Sequence, residues 1–111
     1  DRLKDMINRG GEKVYGLEVE NVLCGCPGVA EAAVVGVPHP VFGEVPAAFV
    51  VPVPGATLDP ERVRVHCAGR LADFKVPVAV RTVDRLPRNP AGKVLKAELR
   101  KAWGPGQEAT R

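Results

Sequence analysis

Two valine-rich runs, VAEAAVVGVPHP (residues 29–40) and VPAAFVVPV (residues 45–53), constrain this chain more than any other feature in it. Both are apolar almost throughout and rich in a β-branched residue that packs well on a pleated surface, and both are short for helices. A loop from Pro38 to Gly43 separates them. They read as paired antiparallel strands. Pro46 and Pro52 cannot donate ladder hydrogen bonds, so they are expected at strand ends or at a sheet edge.

The flanking segments supply what such a hairpin needs to bury itself. Met6-Ile7 and Lys13-Val14-Tyr15 sit on either side of Arg9-Gly10-Gly11-Glu12, a hairpin signal because glycine tolerates positive φ. From Leu17 the spacing becomes helical through Val19, Val22 and Leu23, until Gly25, Pro27 and Gly28 end it. Asp59-Pro60-Glu61 opens a second helix, since Asp caps orphan amides and proline fits the first turn; its apolar positions run through Val63, Val65, Cys67, Leu71 and Phe74. VPVAVRTVD is a further strand, RLPRNPAGK a loop and VLKAELRKAW a last amphipathic helix, ended by Gly104-Pro105-Gly106. The order is ribbon, helix, hairpin, helix, strand, loop, helix. It predicts an α+β domain over residues 1–103: a small antiparallel or mixed sheet with a two-stranded N-terminal ribbon, covered by about three helices on one side. Residues 104–111 are expected to form a disordered tail.

At 111 residues the chain is one domain's worth, large enough to bury roughly two thirds of the surface its unfolded form exposes. No stretch approaches the ~20 apolar residues of a membrane span, so a soluble domain is expected. The net charge of +3 is mildly basic, but acidic and basic residues are interleaved, and the five aromatic residues are scattered singly. Nucleic acid would call for aromatic stacking among the basic residues; an anionic small ligand fits better. Cys24, Cys26 and Cys67 are odd in number and lack the C-x-x-C spacing of zinc and redox sites. Reduced thiols in a cytoplasmic protein are the expectation. The chain carries no secretory leader and starts, without methionine, inside a charged and patterned segment, which suggests a piece of something longer.

The stretch LPRNPAGKVLK, residues 86–96, is written around Lys93. It is not a P-loop: Pro87 stands where that motif has its first glycine, and Val94 offers no hydroxyl to a metal. Gly92 leaves room for the ammonium group to approach a ligand, but a solvated lysine ahead of a helix would look the same. Gly10-Gly11 is equally open, as a plain turn or as backbone that must lie close to a ligand. Glu18 and Glu20 near a helix start fit dipole complementarity. His39, between two prolines, and His66, beside Cys67, have no partners at metal or triad spacing, so no metal site is assigned.

Two of these stretches gain meaning together. DRLKDMINRGGEKVYGLEVE closely resembles the segment that opens the C-terminal domain of the adenylate-forming superfamily, which includes acyl-CoA synthetases, firefly luciferase-like enzymes and nonribosomal peptide adenylation domains. LPRNPAGKVLK resembles that domain's lysine motif, the spacing between the two matches, and the central hairpin is similar to the usual one. The resemblance covers the chain up to Trp103.

It implies the small mobile domain of an ATP-dependent acyl-CoA synthetase, rotating against a large N-terminal domain that binds the carboxylic acid, ATP and Mg2+. Lys93 would be the adenylation lysine, Arg2 a nucleotide contact and Lys4 the hinge. Gly10, Gly11 and Glu12 would face the pantetheine tunnel when CoA, the co-substrate, attacks acyl-AMP. Three departures stand out: Gly16 replaces a frequent proline, only Lys75 is basic around FKVPVAV, where some CoA ligases hold CoA phosphates, and no large domain is present. An enzyme loading a carrier-protein pantetheine is the near alternative, set back by the lack of a carrier domain after the last helix. A non-catalytic module binding a partner or nucleotide is the distant one. The identity of the acid is not written here.

Overall fold

The computed structural model describes residues 5–104; the Arg2 and Lys4 assignments, and the tail assignment beyond Gly104, lie outside that range. The chain runs β1 (Met6–Arg9), β2 (Glu12–Tyr15), α1 (Gly16–Cys24), β3 (Val29–His39), β4 (Gly43–Pro52), α2 (Pro60–Ala68), β5 (Val80–Thr82) and α3 (Lys96–Trp103), with a 3-10 turn at Asp73–Lys75. The element order is the one the sequence predicts, and the α+β class holds.

β3 and β4 pair antiparallel along almost their whole length, from Val29↔Pro52 to His39↔Gly43. On the other side of β4, two strands share one edge. β1 meets it at Arg9↔Gly43 and brings β2 with it, while β5 pairs in parallel over Ala48 to Val50. The sheet is therefore mixed, and β4 is its central strand.

Helices cover both faces of this sheet, where the sequence suggested one. Val34, Ala48 and Val50 pack with Val19 and Leu23 of α1 and Val63 and Cys67 of α2. Their neighbours Val35, Val37, Val45, Ala47 and Phe49 point the other way, onto Leu86 and onto Leu99 and Trp103 of α3. Side chains of a strand alternate between faces, so a strand buried on both sides must be apolar at consecutive positions. That is the physical reason the two valine-rich runs are continuous. Each fully buried valine contributes about 1.5–3 kcal/mol, against at most about 1 kcal/mol for exposed pairs such as Arg64–Glu61, so these two layers hold the fold.

Three local expectations need correction. Pro46 lies inside the central strand rather than at an end or edge. Its carbonyl accepts from the Val78 N–H at 2.9 Å, and its donor-free nitrogen falls in the gap between the β1 and β5 pairings, where no ladder bond is forfeited. Pro52 does end β4. α2 stops at Ala68, and Leu71 and Phe74 reach the core from the following turn. The VPVAVRTVD segment pairs only over Val80–Thr82.

All three cysteines are free thiols. Cys67 is fully buried, and burial, followed by the nearness of Cys26, pushes its thiol up to about 11. Among the described residues no helix is long and apolar enough to cross a membrane.

Candidate functional site

The lysine loop is anchored at both ends of residues 86–95. Leu86 is buried against the second face, and the Leu95 N–H donates to the Pro87 carbonyl at 2.8 Å, closing the loop on itself. Inside it, Asn89 is the organising side chain. Its Oδ1 accepts from the Lys93 N–H at 2.9 Å, its own N–H donates to the Lys93 carbonyl at 2.9 Å, and its carbonyl accepts from Gly92 at 2.9 Å. That last bond is made with Gly92 at φ +89°, a conformation side chains resist. Arg88 fixes the loop to the sheet: its guanidinium donates to the Gly92 carbonyl at 2.7 Å and pairs with Glu31 of β3. Lys93 stands exposed on this scaffold.

The glycine turn is built differently. Asn8 Oδ1 accepts from the Gly11 N–H at 2.8 Å, and the Gly10 N–H donates to the Phe42 carbonyl at 2.8 Å. Gly10 sits at φ +60°, and a Cβ there would come within 3.0 Å of Phe42 Cδ1. Gly11, at φ +100°, faces open space. The Arg9 guanidinium lies 3.8 Å from the centre of the Phe42 ring and pairs with Glu12 at 3.3 Å. His39 holds Phe42 in turn, because its Nδ1 accepts from the Val41 and Phe42 amides at 3.0 and 3.2 Å. His66 Nε2 donates to the Val22 carbonyl at 3.0 Å. Both histidines are engaged in hydrogen bonds within the fold.

The loop leans on Glu31 and the turn on the residues following His39. These anchors are eight residues apart along β3, roughly 26 Å at the usual rise of a strand. The structure does not bring Lys93 and Gly10-Gly11-Glu12 into one pocket; it hangs them from opposite ends of the central hairpin.

Residues 18–93, from the first turn of α1 to Lys93, match a family model described as the AMP-binding enzyme C-terminal domain. The chain belongs to this family. Among curated relatives it is 58% identical over 100 residues to the 3-[(3aS,4S,7aS)-7a-methyl-1,5-dioxo-octahydro-1H-inden-4-yl]propanoyl:CoA ligase of Rhodococcus jostii strain RHA1, covering 90% of this chain and 19% of that protein. It is 50% identical over 105 residues to the fatty acid–[acyl-carrier-protein] ligase ScoC of Streptomyces coeruleorubidus, covering 94% and 20%. The crystal structure of ATP-bound MatB from Rhodopseudomonas palustris superposes with a TM-score of 0.87 at 46% identity, covering 92% and 20%. The chain thus spans about a fifth of the length of the curated relatives it matches.

Two details of this AMP-binding C-terminal domain bear on ligands. Lys75, the one basic residue of FKVPVAV, is engaged by Glu18 at 2.9 Å. Among the described residues no group of three or more His, Cys, Asp or Glu side chains is gathered to hold a metal ion. Arg88, Asn89 and Glu31 were not singled out from the sequence. A charged residue wedged between prolines in LPRNP was the available signal for Arg88; Glu31, 57 positions away, carried none.

Proposed function

We propose that this chain is the mobile domain of an ATP-dependent acyl-CoA synthetase and supplies two separate surfaces to two half-reactions. In the first, a carboxylate oxygen attacks the α-phosphorus of ATP and pyrophosphate leaves. Lys93 brings a fixed positive charge to where negative charge develops, an effect worth ~10²–10³ in rate when a single preorganised donor is removed. In the second, the CoA thiolate attacks the acyl carbon and AMP leaves, with the Gly10-Gly11-Glu12 face lining the approach. Bare backbone suits a narrow passage there because no Cβ occupies it.

The observation that carries this reading is the separation of two preorganised turns at opposite ends of one hairpin, in a domain of this family. Lys93 is the residue that would meet ATP; magnesium and the acid belong to a large N-terminal domain, as do most contacts to the nucleotide. Arg2 as a nucleotide contact and Lys4 as the hinge are part of the same proposal, as is a cytoplasmic location. A second acceptor has specific support. Lys75 is engaged by Glu18, which weakens it as a CoA-phosphate contact, and ScoC is named for loading an acyl-carrier protein, so a carrier-borne pantetheine is the alternative to free CoA.

The test is Lys93→Ala in the intact parent enzyme. Acyl-AMP formation, followed by pyrophosphate exchange, is expected to fall on the order of 100-fold or more, while thioester formation from supplied acyl-AMP survives. Equal loss of both steps would remove the role given to Lys93. Running the second step with free CoA and with a carrier protein separates the two acceptors.

A further inference from the structure

Lys96 opens α3 three residues beyond Lys93, at a position that helix physics does not favour. A cation in the first turn opposes the helix dipole, and Leu95, the residue before it, offers no side-chain cap to offset this. Its ammonium group is instead spent on two carboxylates from distant parts of the chain. It lies 2.5 Å from Asp5 Oδ1 and 2.7 Å from Glu20 Oε2. The three side chains are only 21%, 26% and 18% exposed, unlike the solvent-facing pairs elsewhere on the surface.

The cluster has little slack. Glu20 Oε2 also accepts from the Val34 N–H at 2.8 Å, so it is pinned to the outer edge of β3 while it holds Lys96. Asp5 packs on Gly16, where a Cβ would come within 2.7 Å of its Oδ2. The glycine that departs from the frequent proline is thus the residue that makes room for the Asp5 carboxylate.

We propose that Lys96 is a positioning residue for adenylation: it clasps the segment entering β1, and α1, to the start of α3, so that the Lys93 loop and the hinge end of the domain move as one body. The proposal rests on the reading of Lys93 given above. Arg88 ties the front of the lysine loop to β3 through Glu31, and the clasp ties its rear to Asp5 and Glu20. Without the rear tie, a rotation delivered through residues 4 and 5 reaches the lysine loop only through the sheet. The glycine turn keeps its ladder to β4 and its bond to Phe42 either way.

The experiment compares Lys96→Met, Lys96→Arg and Lys93→Ala in the intact parent enzyme, reading the two half-reactions separately. For Lys96→Met, kcat for acyl-AMP formation is expected to fall about 10-fold, within the range that a sub-ångström to 1 Å misplacement produces. Thioester formation from supplied acyl-AMP should stay within about twofold on the same scale. Lys96→Arg should recover most of the loss, and Glu20→Gln added to Lys96→Met should cost less than the product of the two single effects. Adenylation unchanged in Lys96→Met, both half-reactions lowered equally, or no recovery in Lys96→Arg would each overturn the clasp. If Lys96→Met does not fold, Asp5→Asn removes one arm at constant shape and must show the same split. If Lys93→Ala cripples adenylation while the Lys96 variants spare it, only the clasp falls; if Lys93→Ala spares adenylation, the reading of Lys93 falls and takes the clasp with it.

Discussion

The lysine loop and the glycine turn hang from opposite ends of one hairpin and are held by different means. The lysine loop adds side-chain anchors to its own backbone bonds: Asn89 Oδ1 accepts from Lys93, Arg88 straps the loop to Glu31, and Leu86 plugs it into the core. The glycine turn is held mainly by backbone, through the β1–β2 ladder, the Arg9↔Gly43 contact and the bond from Gly10 to the Phe42 carbonyl. The first arrangement fixes the backbone that carries one exposed charged side chain. The second leaves a strip of backbone bare and needs no side chain at its tip. Neither turn depends on the other's supports, which is what the proposed function requires of two separate surfaces.

The comparison breaks most readily at Gly11. A β-branched side chain at φ +100° is strained whatever the space around it, and it would also fill the bare strip. Gly11→Val is expected to lower thioester formation on the order of 100-fold, with pyrophosphate exchange within a few-fold of the parent. Comparable losses in both assays would mean that the two turns are not separate. Gly92→Ala is the matching change in the lysine loop, and a milder one. The added methyl meets nothing within 4 Å, so the cost is the backbone conformation alone, about 1–2 kcal/mol. Adenylation should drop about 5- to 30-fold if that strain displaces Lys93, with thioester formation from acyl-AMP as the control. Asn89→Ala is the smallest and most pointed. It removes the acceptor of the Lys93 N–H, a bond worth about 1 kcal/mol, and should slow adenylation about fivefold. A crystal structure of the variant would show whether the loop has opened, and an unchanged loop with unchanged rate would demote Asn89 to a bystander.

Legibility in the sequence followed the range of the interaction. β1, β2, α1 and the β3–β4 hairpin were readable because each carries its own signal within a few residues, such as the Gly10-Gly11 turn or the Val19 and Leu23 spacing. The face that α3 covers was not, because Leu99 and Trp103 would look the same under either side of the sheet. What decides it is packing between distant segments, with Leu99 and Trp103 gathered against Val35, Val37 and Phe49. Pro46 was misjudged for a related reason: whether a proline harms a strand depends on which neighbour its nitrogen faces, and that neighbour is a gap between β1 and β5. At the site, Lys93 and the two glycines were visible in their motifs. Their supports were not, since Arg88 meets Glu31 across 57 positions and Lys96 meets Asp5 across 91. Local context marks Arg88 between its prolines and Lys96 in a first helical turn as unusual, but nothing local points to Glu31 or Asp5 as their partners.

The far end of α3 has a consequence of its own. Trp103 is the chain's single tryptophan, and it is buried under the second face with the Arg81 guanidinium stacked 3.9 Å from its ring. The same guanidinium donates to the Ala102 and Trp103 carbonyls at 3.2 and 3.4 Å, so a residue of β5 caps the helix that the lysine loop leads into. An indole pressed against a cation on one side and aliphatic side chains on the other has an emission spectrum set by that packing. The domain therefore carries a built-in optical reporter: light from one ring registers whether the helix behind the lysine loop is seated on the sheet.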